Sequence, residues 1–115
     1  MTTDETLEYR ALRRLAAEPV AGQRTLAQQL GISLGKANYV VRALVARGLV
    51  TIENVSQNPN RLGYAYVLTP KGLTEKANLT RRFLERKMAE YEQLQQEIDI
   101  LAREAGVSDR RTLAS

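Results

Sequence analysis

The stretch Ile32-Ser-Leu-Gly-Lys-Ala-Asn-Tyr-Val-Val-Arg-Ala-Leu-Val-Ala-Arg-Gly-Leu-Val50 decides how this chain folds. Ser33 stands where a helix N-cap belongs, with a hydroxyl able to accept a first-turn N–H, and Ile32 and Ala37 are spaced to form a hydrophobic staple. Ala37, Val40, Val41 and Leu44 then fall at i, i+3, i+4 and i+7, one apolar stripe that a helix must bury against something. Gly48 is placed to end the helix. The other side carries Gly35, Asn38, Tyr39 and Arg42, with Lys36 on its flank. A glycine inside a helix costs roughly 1 kcal/mol against alanine, so Gly35 calls for a reason, such as the close approach of a ligand backbone. An amide, a phenol and a guanidinium on one ridge are groups that hydrogen-bond base edges and phosphate oxygens. A polar helix face is more often merely solvated, but the sequence on either side argues otherwise.

Upstream, Glu5 to Glu18 reads as a helix with Leu7, Ala11, Leu12, Leu15 and Ala16 inward, closed by Pro19. Val20 to Arg24 reads as a short connection. Thr25-Leu-Ala-Gln28 has the form of a capping box opening a second, short helix, with Leu26, Ala27 and Leu30 on its apolar side and Gly31 as its stop. Two short helices joined by so tight a turn, the second longer and basic outside, predict a helix-turn-helix.

Downstream, the period changes from 3.6 to 2. Leu49 to Val55 and Tyr64 to Leu68 are strand-like, separated by turn chemistry over 56–63, which predicts a β-hairpin with a long polar tip. A hairpin beside a helix-turn-helix is a wing. Arg61, flanked by Asn58 and Asn60 at its tip, suits a narrow minor groove or a pair of phosphates. Thr69 as N-cap, Pro70 at the first helical position, and Leu68 with Leu73 as a staple then start a helix that meets no breaker before Gly106. The expected architecture is mainly α with one small β-hairpin. Residues 1–69 form a winged helix-turn-helix DNA-binding domain, 70–106 a long helix for coiled-coil dimerisation, and 107–115 a disordered tail.

The long helix carries Leu84, Met88, Tyr91, Leu94, Ile98 and Leu101 at three-four spacing, a seam for a second chain. Residues 73–88 hold five basic and two acidic side chains, whereas 89–105 hold one basic and five acidic. Parallel pairing would lay like charges side by side. Antiparallel pairing sets Arg81, Arg82, Arg86 and Lys87 beside Glu97, Asp99 and Glu104 of the other chain, crossing near Tyr91.

Composition narrows the function. The 115 residues contain no Cys and no His, which removes disulfides, thiol chemistry, imidazole acid-base catalysis and the common zinc sites. Glu90 with Glu92, and Glu97 with Asp99, stand at i, i+2 and point to different faces, so they make poor acid-base pairs. The chain is read as no enzyme, with no cofactor or metal. No run is long enough to span a membrane and no signal peptide precedes Leu7, so a cytoplasmic protein is expected. The formal charge is +4, all of it within residues 1–72. Within 19–72, Arg24, Lys36, Arg42, Arg47, Arg61 and Lys71 face the single acid Glu53, the footprint of a surface meeting a polyanion. The candidate DNA-binding residues are therefore Arg24, Thr25, Ser33, Leu34, Gly35, Lys36, Asn38, Tyr39, Arg42, Asn58, Asn60 and Arg61. A protein partner anchored on Tyr39 and Leu34 is the alternative.

The order helix, helix-turn-helix, wing, Leu-Thr-Pro-Lys-Gly, long helix resembles the MarR type of winged-helix transcription regulators. The runs Gly31-Ile-Ser-Leu-Gly-Lys-Ala-Asn-Tyr39, Gly48-Leu-Val50, Tyr66-Val-Leu-Thr-Pro-Lys-Gly72 and Phe83-Leu-Glu-Arg-Lys-Met-Ala-Glu-Tyr91 are similar to the small members associated with exopolysaccharide gene clusters. The resemblance spans about residues 5–105. It implies a sequence-specific homodimer on double-stranded DNA, acting on exopolysaccharide or capsule biosynthesis genes. The wider family frames an effector pocket with extra helices at both ends, whereas here one helix follows the wing.

Overall fold

The computed structural model describes residues 3–56 and 63–107. The element order is α1 (Thr3–Ala17), α2 (Gln23–Leu30), α3 (Leu34–Ala46), β1 (Val50–Asn54), β2 (Tyr64–Leu68) and α4 (Pro70–Glu104). The mainly helical winged helix-turn-helix with a long last helix is thus the observed architecture. The wing-tip residues Asn58, Asn60 and Arg61 lie outside the described residues, as does the expected tail from Ser108 onward.

The chain divides into two compact units, residues 1–80 and 81–115. In the first, Leu7, Ala11, Leu12 and Leu15 of α1, Leu26 and Leu30 of α2, and Val40, Val41 and Leu44 of α3 share one core with Val20, Leu49, Val50 and Leu79. The i, i+3, i+4 patterning produces this core, because each helix has one apolar stripe and only mutual burial removes all three from water. Ala16, expected inward, is exposed: it lies beyond the last α1 residue in the core, Leu15.

The start of α2 differs from the sequence reading. Val20 exchanges backbone hydrogen bonds with Tyr66, 3.1 Å from its N–H and 2.8 Å to its carbonyl, an isolated antiparallel bridge on the outer edge of β2. That pairing fixes the chain before Ala21, and the helix begins at Gln23 behind Gly22 as N-cap, with no side-chain cap. Thr25 is therefore inside α2 and the Thr25–Gln28 capping box does not open it; a tertiary strand pairing overrides the local signal. The stop is as expected, with Gly31 at φ 68.

β1 and β2 pair antiparallel from Val50↔Leu68 to Asn54↔Tyr64. At the base of the wing tip the Asn54 Oδ1 accepts from the N–H groups of Ser56 (3.0 Å) and Gly63 (3.2 Å). Thr69 does double duty after β2. Its Oγ1 accepts the Gly72 N–H at 2.9 Å, capping α4, and donates to the Gly48 carbonyl at 2.7 Å, tying that cap to the end of α3. Gly72 sits so close to the chain entering β1 that an added Cβ would collide with the Leu49 carbonyl oxygen and meet Leu68 Cδ1 at 2.6 Å. The expected Leu68–Leu73 staple does not bury Leu73, which stays 55% exposed.

Within the second unit α4 continues to Glu104 and ends as Gly106 turns to φ 75, with the Val107 N–H bonded to the Ala102 carbonyl. Arg86 and Lys87 both pair with Glu90 along the helix. No helix among the described residues is long and apolar enough to cross a membrane.

Candidate nucleic-acid interface

The helix α3 begins as its sequence requires. Ser33 Oγ accepts the Lys36 N–H at 3.1 Å, and Ala37, Val40, Val41 and Leu44 are all buried. The helix ends at Arg47, with Gly48 at φ 74 and the Leu49 N–H returned to the Leu44 carbonyl at 2.9 Å. Burying that stripe turns the remaining face outward by geometry alone. Gly35, Asn38, Tyr39 and Arg42, joined by Ala43, line one open notch. Tyr39 is 57% exposed, Arg42 is exposed and Asn38 is half-buried.

Gly35 has no intramolecular reason to be glycine. Its backbone φ is not positive, and a Cβ built on it would find nothing within 4 Å. Space is therefore kept at the start of the helix where the fold makes no use of it. This contrasts with Gly72, whose missing side chain the fold does use.

The cations of the first unit divide by what holds them. Arg10 Nη2 donates to the Leu30 carbonyl at 2.6 Å, satisfying the C-terminal end of α2. Arg14 bonds Gln29 and Glu18, both at 2.6 Å. Arg47 reaches Glu8 at 2.9 Å and Glu75 at 3.5 Å, fastening the end of α3 to α1 and to the first turns of α4. Lys36 meets Asp4 at 3.4 Å, and its ammonium lies 5.1 Å from the centre of the Tyr39 ring. Arg24 and Arg42 are exposed, with no hydrogen bond or ion pair among the described residues. Counting cations along 19–72 treated Arg47 as part of the polyanion footprint, but it is internally engaged. Asp4 was not singled out by the sequence reading, because its position beside Lys36 depends on how α1 crosses α3.

Of the remaining candidates, Ser33 and Leu34 are exposed at the start of α3, and Arg24 and Thr25 are exposed in the first turn of α2. Among the described residues no hydrogen bond or ion pair links Arg24 or Thr25 to α3. The surface offers donors, one acceptor-donor amide and an aromatic edge around a notch. That combination can hydrogen-bond base edges and neutralise phosphate.

Residues 4–51 match the family model described as winged helix-turn-helix DNA-binding. A comparison with curated proteins returns no match. Among solved structures, the chain is similar to the PcaV transcriptional regulator of Streptomyces coelicolor at 25% identity, covering 88% of this chain and 76% of that one with a TM-score of 0.63. The transcriptional regulator BldR of Sulfolobus solfataricus is also 25% identical, covering 85% of this chain and 73% of its own, with a TM-score of 0.55. S. aureus MepR bound to ethidium bromide, 18% identical over 92% of this chain and 78% of that one, shares the fold with a TM-score of 0.58.

Proposed function

We propose that this chain is a winged-helix DNA-binding transcriptional regulator of the MarR type, acting in the cytoplasm as an antiparallel homodimer on a palindromic operator, a reading supported by the winged helix-turn-helix match and the similar solved regulators. We further propose that its targets are exopolysaccharide or capsule biosynthesis genes. The observation that carries the reading is the outer face of α3, where Arg42 has no partner among the described residues beside the notch of Gly35, Asn38 and Tyr39. A guanidinium and an amide so placed can each bond a base edge in two places. Ser33, Leu34, Arg24, Thr25 and the wing-tip Asn58, Asn60 and Arg61 complete the proposed contact set, with Lys36 contributing from its place beside the Tyr39 ring. The gene targets rest on the resemblance carried by the runs Gly31–Tyr39, Gly48–Val50, Tyr66–Gly72 and Phe83–Tyr91, of which Leu34–Tyr39 is the part a generic winged helix would not share.

The dimer reading is supported by apolar side chains that the lone helix leaves in water. Leu84, Met88, Tyr91, Leu94 and Leu101 are each more than half exposed, and Ile98 is half-buried. A two-fold dimer asks for two half-sites about a helical turn or more apart. The chain lacks cysteine, so cross-linking reads orientation directly: Leu84→Cys mixed with Ile98→Cys is expected to cross-link as heterodimers, each variant poorly alone. Efficient self-cross-linking of Ile98→Cys would mean parallel helices.

The DNA reading is tested with the duplex that the chain itself selects from a random-sequence pool. Arg42→Ala and Asn38→Ala are each expected to cost about 1–3 kcal/mol of binding to it while folding is retained. Unchanged affinity in both variants would favour a protein partner on Tyr39 and Leu34 instead.

A further inference from the structure

Three cations lie along α3 and its C-cap, and α1 treats them differently. Arg47, at the C-cap, meets Glu8 and Glu75, whose side chains are only 20% and 24% exposed. Lys36, in the first turn, meets Asp4 across a pair that is 42% and 53% exposed. Arg42, between them, has no partner among the described residues. Asp4 and Glu8 are four residues apart on α1, so one face of that helix takes both outer cations and leaves the middle one free.

The Arg47 cluster fastens helices together: its arginine side chain is 47% exposed, but both glutamates that hold it are mostly covered, and the cluster joins three elements. The Asp4–Lys36 pair is open to water, joins two elements already packed through their buried stripes, and borders the notch through the Tyr39 ring. An acid at this place weakens the attraction of the surface for any polyanion. Its effect must therefore be sought in which polyanion is bound.

We propose that Asp4 is a specificity-determining residue, holding Lys36 against Tyr39 so that the lysine does not act as an indiscriminate phosphate clamp. The proposal rests on the reading of α3 as the helix that meets DNA. A lysine free to neutralise a phosphate strengthens binding to every sequence alike through counterion release, whereas base contacts distinguish sequences. The Asp4 carboxylate satisfies the ammonium from within and repels the phosphate it would otherwise seek. The same ammonium, held over the Tyr39 ring, steadies that ring beside Asn38 and Arg42, where a matching sequence benefits from it. Discrimination is a difference of affinities, and an element unfavourable to the wrong duplex widens it.

The full chain, Asp4→Asn, Lys36→Met and the double variant are to be titrated with the self-selected duplex and with a scrambled duplex of the same length, across a range of salt. Melting curves confirm that each variant is folded. Asp4→Asn is expected to raise affinity for the scrambled duplex roughly three- to tenfold at low salt and to steepen its salt dependence by about 0.9 in log–log slope. Affinity for the selected duplex is expected to stay within about twofold, so the ratio between the duplexes falls. In the Lys36→Met background, Asp4→Asn is expected to change neither quantity. The same gain in that background would show a general charge effect and overturn the proposal, as would an equal gain on both duplexes or no gain on the scrambled one. Failure of the unaltered chain to bind any duplex would overturn the DNA reading itself, and this proposal with it.

Discussion

Up to Thr80, Leu12, Leu26, Leu44, Leu49, Val40 and Val50 from three helices and the start of the hairpin are fully buried against one another; from Arg81 on, Leu84, Met88, Tyr91, Leu94 and Leu101 stay more than half exposed. Both stretches contain leucines at helical spacing. The difference is that α1, α2 and α3 supply each other's missing surface, whereas among the described residues of the second unit no other element covers this stripe of α4. A single helix in water gains little from its apolar stripe until a partner covers it. Among the described residues the first unit thus buries its own apolar stripes, and the second leaves exposed the apolar side chains on which the proposed dimer rests.

The sharpest way to break this contrast is at Gly72, where the first unit is most tightly closed. With an added Cβ driven into the Leu49 carbonyl oxygen, Gly72→Ala must push the start of α4 away from the hairpin or distort the chain entering β1. A loss of about 3 kcal/mol or more in denaturant unfolding is expected. A loss below about 1 kcal/mol would mean that the start of α4 is only loosely docked on the hairpin.

A paired comparison of leucines sharpens it further. Leu44→Ala, at 0% exposure, is expected to cost about 2–5 kcal/mol of unfolding free energy. Leu94→Ala is expected to leave the unfolding of the first unit within about 0.5 kcal/mol while shifting sedimentation equilibrium toward monomer. Equal destabilisation by the two substitutions would erase the distinction between the units.

Much of this was legible in the sequence because it is local. Ser33 as N-cap, Gly31 and Gly48 as stops, Thr69 and Pro70 as the opening of α4, and the buried stripe of α3 all depend on residues within about two turns of each other, and the structure has each in place. What the sequence hid is non-local. The Val20–Tyr66 bridge that advances α2 to Gln23 joins positions 46 apart, and no spacing rule reaches that far. The steric need for Gly72 was hidden because its close neighbour is Leu49. In the candidate site, the ridge of Gly35, Asn38, Tyr39 and Arg42 was readable, since turning one helix face inward turns the other outward. The engagement of Arg47 by Glu8 and Glu75, and of Lys36 by Asp4, was not, because it requires the crossing of α1 over α3. Net charge along a segment cannot say which cations the fold has already used.

Gly35 carries the smallest expected energy and the most direct test of the claim that the outer face of α3 is shaped for a partner rather than for the fold. A Cβ there meets nothing within 4 Å, and alanine is the better helix former. Gly35→Ala is therefore expected to raise stability by about 0.5–1 kcal/mol in thermal unfolding. In a fluorescence-anisotropy titration with the self-selected duplex, the same variant is expected to bind roughly tenfold more weakly, a cost within the range of a lost interface contact. Opposite signs in the two measurements are the predicted result. A gain in stability with unchanged duplex affinity would contradict the account and leave this face a solvated one.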